Sequence, residues 1–159
     1  MFSALMSAFC VVIAWFCKSY FTFGAVRLTF ENLPLIFVGI LLGPAYGAAV
    51  GASADIISAL LSGFSINPLI TLGAAMVGAV AGFAAKFIKS RGYFGVFGIS
   101  LLSHIVGTMV IKSFALWQMG YALPMVWIRV PLYFVIAVLE SYFIYILFKN
   151  RTIAFGIDR

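Results

Sequence analysis

The sequence predicts an all-α integral membrane protein, a six-transmembrane-helix bundle with cytoplasmic N- and C-termini and one domain spanning residues 1–159. Three observations lead there. Of 159 residues, 65% are hydrophobic and 9% are charged, more apolar surface than a water-soluble fold of this size can hide. The apolar residues gather in stretches approaching the ~20 residues that a helix needs to cross a bilayer. The ~10-residue segments of alternating polarity that mark a membrane β-barrel are lacking.

Six apolar segments run in order at residues 2–17, 33–43, 45–62, 68–88, 93–115 and 125–148. The first has no basic leader and no small-residue cleavage site, so it reads as a membrane helix and not as a signal peptide. Its Cys10 and Cys17 share one face with no His or acidic neighbour, which fits packing better than metal ligation. Ser3, Ala4, Ser7 and Ala8 make a smooth face suited to helix association. The second segment is too short to span alone, and Gly43-Pro44 separates it from the third. The third carries Gly43, Gly47, Gly51 and Asp55 at intervals of four, hence on one helix face. In the fourth, Ala74, Gly78 and Gly82 repeat that spacing, as internal packing would require. The fifth carries His104, Thr108 and Lys112, also four apart, and the sixth Arg129, Tyr133, Ile136 and Glu140 at spacings of four, three and four.

The charges set an orientation. Lys86, Lys89 and Arg91 flank the turn between segments four and five, and Lys149, Arg151 and Arg159 follow segment six. With six spans both groups fall on one side, cytoplasmic by the positive-inside rule. The net charge of +6 is thereby explained largely by membrane orientation and not by nucleic-acid binding. Lys18, Arg27, Lys112 and Arg129 fall on the outer half, against the rule, and need another reason. No Gly-x-x-x-x-Gly-Lys-Ser/Thr loop occurs, so ATP is not hydrolysed by that route. No inverted repeat and no nucleophile–base set stands out, which argues against an inverted-repeat transporter and against an enzyme.

Ionisable residues inside a membrane are costly and mark function by default. Asp55 points into the bundle, roughly 15 Å along its helix from Pro44, either bonding a neighbouring helix or anchoring a ligand. His104 either bonds a neighbour or faces the same ligand. Lys112 either snorkels to the outer headgroups or joins Arg27 and Arg129 as a cation for a carboxylate, which Arg binds bidentately. Glu140 reads as a packing or partner contact. Trp117, Tyr121 and Trp127 surround the last outer loop, as an aromatic belt or as a surface for a flat ring.

The run Arg27-Leu-Thr-Phe with Leu33-Pro34, Gly39-Ile-Leu-Leu-Gly-Pro44, Gly47, Val50-Gly51, Asp55 and Pro68-Leu-Ile-Thr71-Leu72 resembles the substrate-binding S components of energy-coupling factor (ECF) vitamin transporters, the folate type above all. It departs from that type at Lys112, where an Asn is usual, and at Ile56-Ile57-Ser58, where a glycine often follows the acid. The resemblance implies a six-helix bundle with a high-affinity vitamin pocket near the outer face and the first loop as its lid. It implies that Ala4 and Ala8 dock on a transmembrane coupling subunit of the EcfT type. Two cytosolic ATPases would supply the energy, and the whole component would topple in a prokaryotic cell membrane to deliver its ligand. Folate would place its glutamate carboxylates on Arg27, Lys112 and Arg129 and its pterin donors on Asp55. Its rings would lie against Phe64, Trp117 or Tyr133, with Asn67 and His104 completing the site. No cofactor is expected. The alternatives are an S component for a queuosine precursor, pantothenate or another heterocycle, a stand-alone permease, or a structural membrane subunit.

Overall fold

The structure, a computed structural model, describes the backbone of residues 2–20, 22–23, 26–27, 30–88, 92–120 and 123–155, and the side chains of residues 4–17, 19–20, 30–88, 92–120 and 130–149. The described elements are α1 (Phe2–Tyr20), β1 (Thr22–Phe23), β2 (Val26–Arg27), α2 (Asn32–Leu42), α3 (Pro44–Leu61), α4 (Pro68–Phe87), α5 (Tyr93–Gln118) and α6 (Leu123–Phe155). The strands form one short antiparallel ladder, with Thr22 opposite Arg27 and Phe23 opposite Val26. By length and composition, α3, α4, α5 and the Val130–Lys149 part of α6 can each cross a membrane, while Ala4–Cys17 of α1 and α2 are shorter apolar helices.

Local chemistry sets the helix ends. Gly43 ends α2 and begins α3 with φ 98°, ψ 177°, a backbone conformation that favours glycine. Pro44 follows at the first turn of α3, where its missing N–H costs nothing. At the start of α4, Asn67 Oδ1 accepts from the Leu69 N–H at 2.9 Å, an N-cap followed by Pro68.

The centre of the bundle is the seam between α3 and α4. Gly47 meets Gly78, Gly51 meets the Ala74 carbonyl, and Gly82 meets Pro44. These pairs advance by three and then four residues on one helix and retreat by four on the other, so the helices run antiparallel. At Gly47 and Gly78 an added Cβ would strike the opposing backbone, and the two backbones touch directly. Ile36, Val38, Val77, Val96, Ile99 and Ile144 fill the interior. Leu5, Phe9, Phe87, Phe94 and Tyr142 face outward, as expected of helices solvated by lipid.

α5 departs from the expected form. Its segment His104–Lys112 is a π-helix, nine residues of i→i+5 bonding. β-branched Ile105, Val106, Thr108, Val110 and Ile111 crowd this stretch, and the Ser113 hydroxyl donates to the Thr108 carbonyl at 3.3 Å. α6 is also longer than the segment read from the sequence, running unbroken through Pro131 for 33 residues.

Candidate functional site

Polar groups converge at the end of the bundle that carries the α1–α2, α3–α4 and α5–α6 connections. Asp55, on the last third of α3, is 8% exposed, and its Oδ2 accepts from the Thr71 hydroxyl at 2.9 Å. Thr71 lies on the first turn of α4, which the Asn67 cap and Pro68 hold in place. Asp55 therefore does bond a neighbouring helix. It also lines a cavity between α1, α2, α3 and α4, together with Cys10, Ala14, Glu31, Leu35, Gly51, Ala54 and Ala74. The cavity measures about 10 Å³, near the size of a single water and far below the ~300 Å³ of small-molecule pockets. The pocket expected from the resemblance has its first-loop lid and two of its cations, Arg27 and Arg129, outside the residues whose side chains are described.

Across the cavity stands Glu31, directly before α2. Its Oε1 accepts from Lys112 Nζ at 3.3 Å, with both side chains under 10% exposed. Snorkelling is excluded for Lys112, which is turned inward. Its stem crosses Gly73 so closely that a Cβ there would lie 2.5 Å from Lys112 Cγ. Lys112 is therefore not an open cation awaiting a carboxylate. An internal acid neutralises it, 81 positions away in sequence. Next along the chain, Asn32 is fully buried, and neither amide atom has a hydrogen-bond partner among the described residues.

His104 and Glu140 make a second polar cluster. Nε2 and Oε2 are 2.6 Å apart, and both side chains are wholly buried. Thr108 Oγ1 lies 3.4 Å from His104 Nδ1, and the Tyr133 ring packs on the imidazole with centroids 5.6 Å apart. Of the two sequence readings of His104, a bond to a neighbour describes what is seen. Glu140, read from the sequence as a packing or partner contact, joins α5 to α6 through this pair. In the π-segment the stripe of His104, Thr108 and Lys112 is buried throughout.

The remaining candidates are scattered. Asn67 spends its oxygen on the α4 cap. Phe64 is half-exposed in the α3–α4 connection, and Trp117 is exposed with its ring against Phe114, centroids 5.8 Å apart. Ala4 and Ala8 are exposed on α1, while Ser7 of the same face turns inward to Ser53 of α3, the hydroxyls 2.9 Å apart. The side chains of Arg27, Arg129, Tyr121 and Trp127 lie outside the described residues. Glu31, which the sequence reading missed, lines the cavity with Asp55 and bonds Lys112, and so links these two candidates.

Residues 1–155 match the family described as ECF transporter, substrate-specific component. The chain belongs to that family. This ECF component is similar in structure to FolT crystallised with folic acid, at a TM-score of 0.66 and 24% identity, covering 88% of this chain and 94% of that one. It is also similar to the S-component for biotin from an ECF-type ABC transporter, at a TM-score of 0.64 and 18% identity, covering 93% and 89%. At these identities the likeness speaks to the fold alone. No curated protein matches the chain by sequence. The family is a substrate-specific transporter component and not an enzyme class, and its membrane setting fits the apolar helices.

Proposed function

We propose that this ECF component is the high-affinity folate-binding subunit of a vitamin importer in a prokaryotic cell membrane. In this reading six helices span the membrane with both termini cytoplasmic, and the Asp55–Glu31 cavity opens toward the outer face. The observation that carries it is Asp55 itself, a buried carboxylate deep in an apolar bundle and lining a cavity. A carboxylate there accepts the paired donors of a pterin edge. Asn32, next to Glu31, supports the reading, because a buried amide with no hydrogen-bond partner among the described residues calls for a polar group. Lys112, with Arg27 and Arg129, would hold the glutamate carboxylates. The cavity must widen for this, by separation of the helices that close it. A coupling subunit of the EcfT type would dock on the Ala4–Ala8 face, two cytosolic ATPases would supply energy, and the component would topple to release its ligand.

The near-equal structural likeness to the biotin S-component favours a second reading, an S component for another vitamin or heterocycle. Native mass spectrometry of the purified protein separates the two, since a retained ligand is named by its mass. A folate mass is expected. A biotin, pantothenate or thiamine mass would end the folate assignment.

A further inference from the structure

We propose that Asn32 is a ligand-contacting residue that reads the carbonyl of a cyclic amide or urea, and so determines which ring the site accepts. The inference deepens the vitamin-binding reading above and rests on it. Asn32 is fully buried, and neither Oδ1 nor Nδ2 has a hydrogen-bond partner among the described residues. An amide left so in an apolar interior is costly. Local structure does not explain it. Asparagine near a helix start ordinarily caps the helix, as Asn67 caps α4. Asn32 stands one place too late for that, because Glu31 holds the cap position of α2.

Its place in the bundle points to a ligand instead. Gly39 meets Gly78, and Gly43-Pro44 meets Gly82, so α2 and α4 run parallel. Asn32 lies seven residues before Gly39 on the same helix face, and Thr71 lies seven before Gly78. The amide therefore stands level with the Thr71–Asp55 bond and with Gly73, where the Lys112 stem packs. Helical side chains lean toward the N-terminus, here the end of the bundle where the polar groups converge. The Thr71 hydroxyl is committed to Asp55 and the Lys112 ammonium to Glu31. An ionised carboxylate such as Asp55 only accepts, so it serves the N–H of a ring amide and leaves the adjacent carbonyl unserved. Asn32 Nδ2 supplies the missing donor, and its Oδ1 takes a further N–H. The pterin of folate and the ureido ring of biotin both present such a carbonyl beside an N–H.

The test uses full-length wild type, Asn32→Leu and Asn32→Asp in detergent, freed of ligand as checked by native mass spectrometry. Asn32→Leu removes the unserved amide at similar size, so it is expected to unfold at or above the wild-type temperature. Calorimetry then compares 6-methylpterin with 2,4-diamino-6-methylpteridine, in which an amine replaces the ring carbonyl. Wild type is expected to prefer the pterin. Asn32→Leu should weaken the pterin about tenfold, the scale of one hydrogen bond to a buried group, and leave the diamino ring unchanged. Asn32→Asp should shift the preference toward the diamino ring, whose amine a carboxylate can accept. A lowered unfolding temperature for ligand-free Asn32→Leu makes Asn32 a structural amide and overturns the proposal. So does an equal loss, or no loss, for the two rings. If wild type binds neither pteridine, the folate reading fails, and biotin with 2-iminobiotin, which lacks the ureido carbonyl, takes their place. A preference for biotin that Asn32→Leu abolishes then upholds the role of Asn32, and one that it keeps overturns it. Binding of neither pair of probes also overturns it.

Discussion

The two seams of this bundle solve helix association in opposite ways. Between α3 and α4 the contact is chiefly backbone on backbone, with Gly47 against Gly78 and Gly51 against the Ala74 carbonyl, and one side-chain bond, Thr71 to Asp55, joins the two helices beyond it. Between α5 and α6 the contact runs through His104 and Glu140, fully buried and 2.6 Å apart. The first seam leaves no room for anything else. The second depends on two groups that are expensive to hold in an apolar interior and that only their partnership makes tolerable. The candidate site lies between these extremes. Asp55 stands one turn beyond Gly51 on the glycine face, and Lys112 ends the polar stripe that begins at His104.

This contrast can be broken from either side. The largest effect is expected for Gly78→Val, whose side chain would meet the Gly47 backbone. Overpacking against backbone should cost about 3 kcal/mol or more, read as a lowered unfolding temperature in detergent. A smaller loss, about 2 kcal/mol, is expected for His104→Leu, which leaves the Glu140 carboxyl buried without its partner. The double variant with Glu140→Leu should recover most of it, since an apolar pair replaces a polar one at little net cost. A double variant no more stable than the single would show that the pair acts other than through mutual satisfaction. Next in size, Asp55→Asn should weaken folate about tenfold, roughly 1.4 kcal/mol, with an unfolding temperature close to wild type. Unchanged affinity by calorimetry would confine Asp55 to its bond with Thr71. The smallest effect is expected for Trp117→Ala, an exposed position where changes usually stay within ~0.5 kcal/mol. A loss of ligand affinity there would give Trp117 the stacking role that its exposure leaves open.

What the sequence disclosed follows from periodicity. Gly43, Gly47, Gly51 and Asp55 announced one helix face, and the structure places the last three of them in the interior. Ala74, Gly78 and Gly82 announced its complement. Asn67-Pro68 carried the signature of a helix start, yet was grouped with ligand residues. Three features were not legible. Glu31 stands alone between a connection and a helix, with no spacing to mark it, and its partner is 81 positions away. The π-segment differs from an α-helix in its bonding ladder and not in its composition, so residues four apart look alike in both. The small size of the cavity depends on how four helices settle together, which no single stretch encodes.

The π-segment has a geometric consequence. It ends at Lys112, and each residue of register lost or gained along a helix turns everything beyond it by roughly 100°. Were His104–Lys112 to relax by one residue toward the α-helical ladder, the ammonium would be carried off the Glu31 side and Trp117 would swing round the helix axis with it. Facing direction at the cavity is in this sense a winding number, set within the span by how its turns are counted. The clamp of His104 to Glu140 at the start of the segment holds one end of that count in place.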